Sequence, residues 1–407
     1  MSGVACNTFG QAPAIAATRP ADRIRRRVLF VVEGFTDIRF VSGLSEICEL
    51  TMLAPMRAYR ASGLYDRVKA LDCELRVIEI GGGRAGFQLR SLRWLWHNAR
   101  DFDLILAQEV LRGALNANLA GSLRGVPVVT YMGIAPLEYF RCRRERRQIG
   151  PLKALVGEVA IRTLMAINGR LATRCLAMGP YLRAVAQRAC PRSMIGLYYG
   201  VDTARFQPAS PSDRLELRTR LDLPRGRFVV LFPSRISHEK DPATVIRAVA
   251  EVRARGLDAV LINLGGGWRE FLSLAPTLGA QDADEWLIGR PAVHPMTEVS
   301  AYFRAADAVA MASLAEGAAF ATLEALACGT PLVATAVGGM AVQLNGFARL
   351  VPRSDAHAMA DELLWIAANP TPARDQALRG REYVVREWAR DKAFADLRQT
   401  FDEIVQP

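Results

Sequence analysis

The fold follows from the stretch SLAEGAAFATLEALACGTPLVATAVGGM, which runs from Ser313 to Met340. Its segment Phe320–Ala327 contains good helix formers with apolar side chains at near-helical spacing, so we predict a helix that begins near Ala318. Gly329 suits the left-handed position after a helix, and the proline that follows favours a short buried strand over residues 332–335. Loop, helix, strand and loop in this order are typical of a unit whose helix amides bind an anion.

Two glutamates, Glu316 and Glu324, lie around the start of this helix. They would repel a bare phosphate, but the hydroxyls of a sugar nucleotide would donate hydrogen bonds to them. Its diphosphate would meanwhile accept from the amides at the helix start, which belong to Ala319, Phe320 and Ala321. The alternative is a surface helix that carries two solvated acids.

The surrounding string resembles the signature of the retaining glycosyltransferases of family 4, which have the GT-B fold. In that signature two glutamates separated by seven residues precede an ACGTP-V-AT segment and a glycine pair, and Glu316, Glu324 and Gly338–Gly339 occupy the matching positions. The resemblance implies that the first glutamate lies at the donor sugar and the second holds the ribose. We also expect the glycine pair to let the backbone approach the ligand. Ala318 and Ala319 replace the family's usual Phe-Gly.

Length and composition agree with a two-domain enzyme. The chain has 407 residues, 51% of them hydrophobic, which suffices for two cores. Its net charge of +11 favours an anionic partner, namely a nucleotide, a membrane surface or a nucleic acid. Known nucleic-acid reader motifs are not found, so we expect no nucleic-acid partner. Seven scattered cysteines indicate a reducing, cytoplasmic location, and we expect no metal site and no cofactor.

Strands and helices alternate along the first half, as in a doubly wound α/β domain. We interpret residues 1–24 as a disordered tail without a secretory signal, and we find no transmembrane segment. The expected divisions are an acceptor domain over 25–195, a donor-nucleotide domain over 196–380, and a helix over 381–407 that crosses back to the first domain. Gly34 and Tyr131 follow or end predicted strands, so we place them on the acceptor side of a cleft between the two Rossmann-like domains.

The second half begins after MIGLYYGVDTARFQP, which resembles the family's interdomain segment. Arg235 and Lys240 follow its first strand and precede a helix expected from Pro242, so they form a candidate diphosphate clamp. This Arg…Glu-Lys segment resembles the family's phosphate-binding one. Gly265 ends the next strand and is assigned to a tight turn or to the donor, and Arg290 to the base or phosphate.

Together these features predict a metal-independent, retaining glycosyltransferase that uses a UDP- or GDP-sugar. Arg235 and Lys240 would stabilise the departing diphosphate, Glu316 would orient the sugar, and Glu324 would bind the ribose. The alternative is a catalytically silent sugar-nucleotide-binding protein of the same fold. The family implies a role in bacterial glycolipid, polysaccharide or cell-envelope synthesis.

A basic and amphipathic segment, residues 138–168, bears on the acceptor. It contains an arginine cluster followed by apolar residues near one helical face. The cluster consists of Arg141, Arg143, Arg144, Arg146 and Arg147, and the apolar residues are Leu152, Leu155, Val156, Val159 and Leu164. Such a pair can dock on the anionic cytoplasmic face of a membrane and would favour a lipid-linked acceptor. The alternative is a solvated loop before a helix packed in the core.

Overall fold

The computed structural model describes residues 25–34, 36–61, 64–71, 73, 75–145, 150–280, 282–292 and 296–406. The predicted disordered tail, residues 1–24, lies outside this part of the chain. Arg146 and Arg147 of the arginine cluster also lie outside it. Of the cysteines, the six that are described are free thiols.

The first half forms a parallel sheet with helices on both faces. Its strands are β1 (Arg27–Val31), β2 (Glu49–Pro55), β3 (Leu75–Ile80), β4 (Leu104–Ala107), β5 (Val128–Met132), β6 (Arg174–Ala177) and β7 (Ser193–Ile195). Its helices are α1 (Ile38–Ile47), α2 (Met56–Ala61), α3 (Leu64–Lys69), α4 (Arg84–Asn98), α5 (Arg112–Arg124), α6 (Pro136–Glu145), α7 (Pro151–Leu171) and α8 (Gly179–Gln187). Val28, Leu29 and Phe30 are fully buried, because helices cover both faces of a parallel sheet.

The second half repeats this architecture. Its strands are β8 (Phe228–Phe232), β9 (Ala259–Leu264), β10 (Leu287–Arg290), β11 (Ala308–Met311), β12 (Leu332–Thr335) and β13 (Arg349–Val351). Its helices are α9 (Pro211–Arg220), α10 (Pro242–Ala254), α11 (Trp268–Thr277), α12 (Met296–Ala305), α13 (Phe320–Ala327), α14 (Gly338–Gln343), α15 (Ala356–Ala368), α16 (Pro370–Glu387) and α17 (Arg390–Val405). The helix and strand predicted within Ser313–Met340 are confirmed as α13 and β12, and Gly329 has the expected positive φ of 62°.

Strand order fixes where ligands can bind. The first sheet has the order β3-β2-β1-β4-β5-β6-β7, and the second has β10-β9-β8-β11-β12-β13. In both sheets successive strands are added first toward one edge and then toward the other. The change occurs between the neighbouring strands β1 and β4 in the first sheet, and between β8 and β11 in the second. A crevice opens at the carboxyl ends of such a strand pair. The prediction of two Rossmann-like doubly wound sheets is therefore confirmed.

The segment that joins the two halves contacts the last predicted helix and interrupts it. We expected one helix within residues 381–407, and this was wrong, because α16 ends at Glu387 and α17 begins at Arg390. Val201 forms two backbone hydrogen bonds at this break. Its amide donates to the Trp388 carbonyl at 2.7 Å, and its carbonyl accepts from the Arg390 amide at 2.9 Å. These bonds replace helical ones, so the chain turns at this point and α17 leaves the second domain.

Helix α17 packs on the first domain. The Phe394 ring lies against Phe40, with centroids 6.3 Å apart, and occupies the space that a side chain at Gly43 would need. A hydrogen-bonded ion pair joins Arg26 to Asp402 at 3.1 Å. Because Phe394 is 4% exposed, apolar burial supplies most of this attachment.

We expect Phe394→Ala to lower the free energy of unfolding by roughly 3 kcal/mol, since it leaves a cavity between α1 and α17. Chemical denaturation measures this change. Val385→Ala is the matched control, because Val385 lies on the preceding helix and is 44% exposed. Equal stability of the two variants would mean that α17 is not held by this ring.

Candidate functional site

Glu316 lies in the loop after β11, where the crevices of the two domains meet. The residue is 5% exposed. Lys240 Nζ donates to Oε1, as does Ser313 Oγ at 3.1 Å, and the Tyr139 hydroxyl donates to Oε2 at 3.3 Å. Lys240 follows β8 and Tyr139 lies on α6 of the first domain. Burial and the adjacent Glu316 raise the pKa of Tyr139, so Tyr139 remains a donor.

The glycine pair at the start of α14 positions the Glu316 loop. The Gly339 amide donates to the Glu316 carbonyl at 2.9 Å. A Cβ on Gly339 would lie 1.7 Å from the Gly317 carbonyl oxygen, and one on Gly338 would lie 2.2 Å from that of Glu316. We expected these glycines to let the backbone approach a ligand, but in the structure they let the backbone of Glu316 and Gly317 approach.

Glu324 lies on α13 and faces an arginine that sequence reasoning missed. Arg39 of α1 donates from Nη1 to Glu324 Oε1 at 2.7 Å, and from Nη2 to the Tyr199 hydroxyl at 2.6 Å. Burial raises the pKa of Glu324, while Arg39 opposes this shift. Asp37 holds the guanidinium from the other side at 2.8 Å. The contact joins residues 285 positions apart, and nothing in the local sequence around Arg39 signals it.

Aromatic side chains surround the start of α13. Phe320 packs against Tyr199 with centroids 4.2 Å apart, and Tyr198 packs against Phe40 at the same distance. Tyr198 also accepts a hydrogen bond from Gln108 Nε2 at 2.9 Å. Both tyrosines belong to the segment between the two domains, and they pack against side chains of both domains.

The remaining donor-side candidates divide into two groups. Arg235 is 66% exposed on its side chain and pairs with Glu239 at 2.7 Å, near Lys240. Gly265 lets the ends of β8 and β9 approach, because a Cβ there would lie 2.4 Å from the Ser234 carbonyl oxygen. Arg290 instead pairs with Asp222, which precedes β8, at 3.5 Å. Its assignment to the base or phosphate stays a prediction.

The other residues predicted to contact the donor lie at the start of α13. Ala319 is its N-cap residue, without a side-chain cap, and Phe320 and Ala321 follow in its first turn. Ala319 and Phe320 are 5% and 9% exposed. Their amides belong to the first turn, where helical partners are lacking.

The predicted acceptor residues line a cavity between the domains. Gly34 and Tyr131 share a space of about 430 Å³ with Tyr199 and Phe320. Tyr131 is 1% exposed, and its hydroxyl donates to the Gly196 carbonyl at 2.7 Å. It therefore forms part of the wall, while its polar atom is engaged within the protein.

Two carboxyl groups that sequence reasoning missed lie after β1 and β4, beside the predicted acceptor residue Gly34. Glu33 and Glu109 hydrogen-bond to each other. Burial, followed by contact with Glu33, raises the pKa of Glu109 to about 7. Glu33 Oε2 is buried and has no donor when both groups are ionised. A protonated Glu109 can donate a hydrogen bond to Glu33. Arg112 Nη2 contacts Glu33 Oε1 at 3.1 Å. The strand order brings these residues together, since β1 and β4 are neighbours.

This pair makes a prediction about stability and pH. Below about 7 the folded protein keeps a proton on Glu109 that the unfolded chain releases near 4.5, so the free energy of unfolding falls as pH rises between these values. Glu109→Gln should remove this loss and stabilise the protein by roughly 1 to 3 kcal/mol at pH 8. Denaturation at pH 5 and pH 8 measures the effect, with the exposed Glu216→Gln as control. The same pH dependence in both variants would contradict a shared proton.

Acidic residues elsewhere do not form a metal site among the described residues, where no group of three or more His, Cys, Asp or Glu side chains converges. The sequence contains an Asp-x-Asp triplet, residues 282–284, which metal-binding sites often use. It lies in the turn before β10, at the amino end of the sheet and away from Glu316.

Of the two domains, the second is the one that a family model matches. The family model described as glycosyl transferases group 1 matches residues 213–383. A D-inositol 3-phosphate glycosyltransferase from Catenulispora acidiphila is 32% identical over 290 residues, covering 69% of this chain and 66% of that protein. The corresponding protein of Salinispora tropica is 36% identical over 225 residues, covering 51% and 45%. The chain thus spans about half to two thirds of these relatives.

Solved structures extend the likeness to both domains. Anabaena HepE in complex with UDP-glucose has a TM-score of 0.73 at 17% identity, over 93% of this chain and 100% of that one. WaaG, a glycosyltransferase involved in lipopolysaccharide biosynthesis, has a TM-score of 0.67 at 14% identity, over 92% and 99%. At such identities the likeness shows the fold, which is GT-B. The family match and the shared architecture together show that the chain belongs to the GT4-type group 1 glycosyl transferases.

Proposed function

We propose that this protein transfers a sugar from a nucleotide-sugar donor to an acceptor hydroxyl, with retention of the anomeric configuration. The observation that carries the proposal is the position of Glu316, a buried carboxylate held by Lys240 of one domain and Tyr139 of the other. A donor sugar between the domains would meet this carboxylate. The relatives named as glycosyltransferases and the UDP-glucose complex of HepE support a UDP-sugar as donor.

Positive charge for the leaving diphosphate would come from the chain itself. Lys240 lies beside the sugar-facing Glu316, and the exposed Arg235 can move from Glu239 toward a phosphate. The amides at the start of α13 add a partial positive charge. These groups would stabilise the leaving group without a divalent ion. The departing phosphate would then accept the proton of the acceptor hydroxyl on the same face of the sugar.

Glu324 would bind the ribose. Arg39 donates to Oε1 of Glu324 and not to Oε2. A ribose hydroxyl could therefore donate a hydrogen bond to Oε2. Arg39 is itself fixed by Asp37 and Tyr199, which orients the carboxylate before the donor arrives. A fixed orientation lowers the entropy lost on binding.

The acceptor end combines carboxylates with arginines. A space of about 460 Å³ is lined by Glu33 and Glu109 and by three arginines, Arg57, Arg84 and Arg112. Carboxylates accept hydrogen bonds from sugar or polyol hydroxyls, and arginines bind phosphate. We therefore infer an acceptor that carries hydroxyls beside an anionic group. A lipid-linked phosphate or a sugar phosphate has this chemistry.

Glu316→Gln should lower kcat at least about 100-fold, because the variant loses a charge that acts on the developing positive charge of the sugar. The dissociation constant for UDP should not rise, since the carboxylate faces the sugar and its neutralisation releases Lys240 for the diphosphate. Turnover of a radiolabelled donor and calorimetry with UDP measure the two quantities. The exposed Glu382→Gln is the control. Unchanged kcat would remove Glu316 from the mechanism, whereas UDP binding without turnover of any UDP- or GDP-sugar by the parent would favour the silent binding protein.

The amphipathic segment supports peripheral attachment to a membrane. Along α7 the side chains of Leu152, Leu155, Val156 and Val159 are between 56% and 74% exposed. They follow the spacing of one helical face. The core-packed alternative would have buried them. Arg143 and Arg144 lie at the end of α6, just before this helix. Among the described residues there is no helix that could span a bilayer. From the exposed apolar face and the adjacent arginines we propose docking on the cytoplasmic face of a membrane.

Co-sedimentation with liposomes of increasing anionic lipid content tests this surface. The parent should bind more strongly as anionic lipid increases, because each basic residue near the surface contributes about 1 kcal/mol. Changing Arg143, Arg144, Arg146 and Arg147 to Gln should abolish the dependence on charge. Leu155→Gln with Val159→Gln should weaken binding at every composition.

The control for the apolar changes is Leu89→Gln with Leu123→Gln, which alters exposed leucines on α4 and α5. Equal binding by the parent, the arginine variant and the α7 variant would assign the basic and apolar face to another partner.

A further inference from the structure

A second cationic cavity lies on the side of the second domain opposite to Glu316. It has a volume of about 480 Å³. Phe228 is the first residue of β8, and Asp258, Asp307 and Pro331 directly precede β9, β11 and β12. These residues mark the amino ends of the strands. The donor-side residues Lys240 and Glu316 follow the carboxyl ends, so the two sites are separated by the length of the sheet.

Arginines outnumber acids in this cavity. Five arginines and two aspartates line it, namely Arg214, Arg218, Arg225, Arg227, Arg374, Asp258 and Asp307. Each aspartate is already shared: Asp307 contacts Arg214 at 3.0 Å and Arg218 at 2.6 Å. Asp258 contacts Arg227 at 2.8 Å and Arg253 at 3.0 Å. The cavity therefore keeps an excess positive charge after its internal ion pairs are formed.

Two of the arginines make only neutral contacts. Arg225 donates from Nη2 to the Thr219 hydroxyl at 2.7 Å, and Arg374 donates from Nη2 to the Ala209 carbonyl at 2.8 Å. Among the ion pairs of the described residues, neither has a carboxylate partner. A guanidinium has five donors, so both retain hydrogen-bonding capacity for an anion.

Arg214 shows the consequence of this crowding. Burial lowers its pKa, and the positive charges of Arg374 and Arg218 lower it further, against the effect of Asp307. Its Nε is buried without an acceptor in the described structure. Leaving a charged donor unsatisfied is costly. An anion between Arg214 and Arg374 would relieve the repulsion and supply acceptors.

We propose that this cavity binds an organic phosphate monoester, at a site separate from the donor cleft. The arginines would hold the phosphate, whose oxygens suit the planar guanidinium donors. The apolar wall formed by Phe228, Leu257, Pro331, Ile366 and Pro370 would contact the organic part. The volume falls within the range of small-molecule sites.

The site also lies on both chain segments that lead to the second domain's connection with the first. Helix α9, which carries Arg214, begins shortly after Val201, and α16, which carries Arg374, ends at the turn that pairs with Val201. A phosphate bound to both arginines would join the two helices. We therefore expect its binding to reduce amide exchange at the start of α16.

Calorimetry on the full chain tests the proposal, with UDP present at saturation to occupy the donor site. The probes are inorganic phosphate, glucose 6-phosphate and AMP. At least one of the two monoesters should bind more tightly than inorganic phosphate. Arg225→Gln and Arg374→Gln should each weaken this binding about tenfold or more, since each removes a charge-assisted contact. Because Arg225 is exposed, we expect Arg225→Gln to fold like the parent, so that weaker binding reports the lost contact.

Arg379→Gln is the matched control, because Arg379 lies exposed on α16 outside the cavity. Binding equal to that of the parent is expected for this variant. No heat with either monoester at millimolar concentration would overturn the proposal. So would equal binding by Arg225→Gln and the parent, or protection from hydrogen exchange that appears at the donor cleft and not at α9 and α16.

Discussion

The ion pair between Lys240 and Glu316 is the interaction on which the arrangement of the site depends. The two residues follow β8 and β11, which are neighbours in the sheet, so strand order brings them together. Both side chains are largely buried, at 17% and 6% exposure. A carboxylate in such a place is tolerated only when it is paired and hydrogen-bonded. Lys240, Ser313 and Tyr139 meet that requirement, and Gly338 and Gly339 hold the loop in position. A donor that draws Lys240 toward its diphosphate must therefore compensate Glu316 with its sugar.

Contacts across the cleft link this pair to the first domain. Tyr139 reaches Glu316, Arg39 reaches Glu324, and Arg353 reaches Glu145 at 2.8 Å. Each glutamate of the seven-residue spacing thus has one partner from the opposite domain. Relative movement of the domains would change the surroundings of both carboxylates at once. If the donor binds at these carboxylates as proposed, it exchanges the same hydrogen bonds that a relative movement of the domains would exchange, so we expect the two events to be coupled.

Sequence alone predicted the elements that depend on local chemistry. The helix and strand around Gly329 follow from propensity and from the glycine and proline after the helix. Lys240 and Glu316 were assigned to one donor because the segments that contain them resemble the family's, and the strand order of the folded chain explains why they meet. Three features needed the folded chain. Arg39 contacts Glu324 across 285 positions, Glu33 meets Glu109 from another strand, and Val201 interrupts the last predicted helix by forming backbone hydrogen bonds with Trp388 and Arg390. These interactions are non-local, and no periodicity or spacing encodes them.

The distribution of charge changes what the net value of +11 means. Around the two glutamates the cations are matched: Lys240 by Glu316, Arg235 by Glu239, and Arg39 by Asp37 and Glu324. A nucleotide bound there would therefore exchange partners with existing ion pairs. Arginines outnumber carboxyl groups elsewhere: on α6 before the apolar face of α7, in the cavity shared by Glu33 and Glu109, and in the arginine cavity at the amino ends of the second sheet. Because unpaired charge attracts anions over a longer range than paired charge does, we expect the basic character of the chain to act on other molecules at these surfaces.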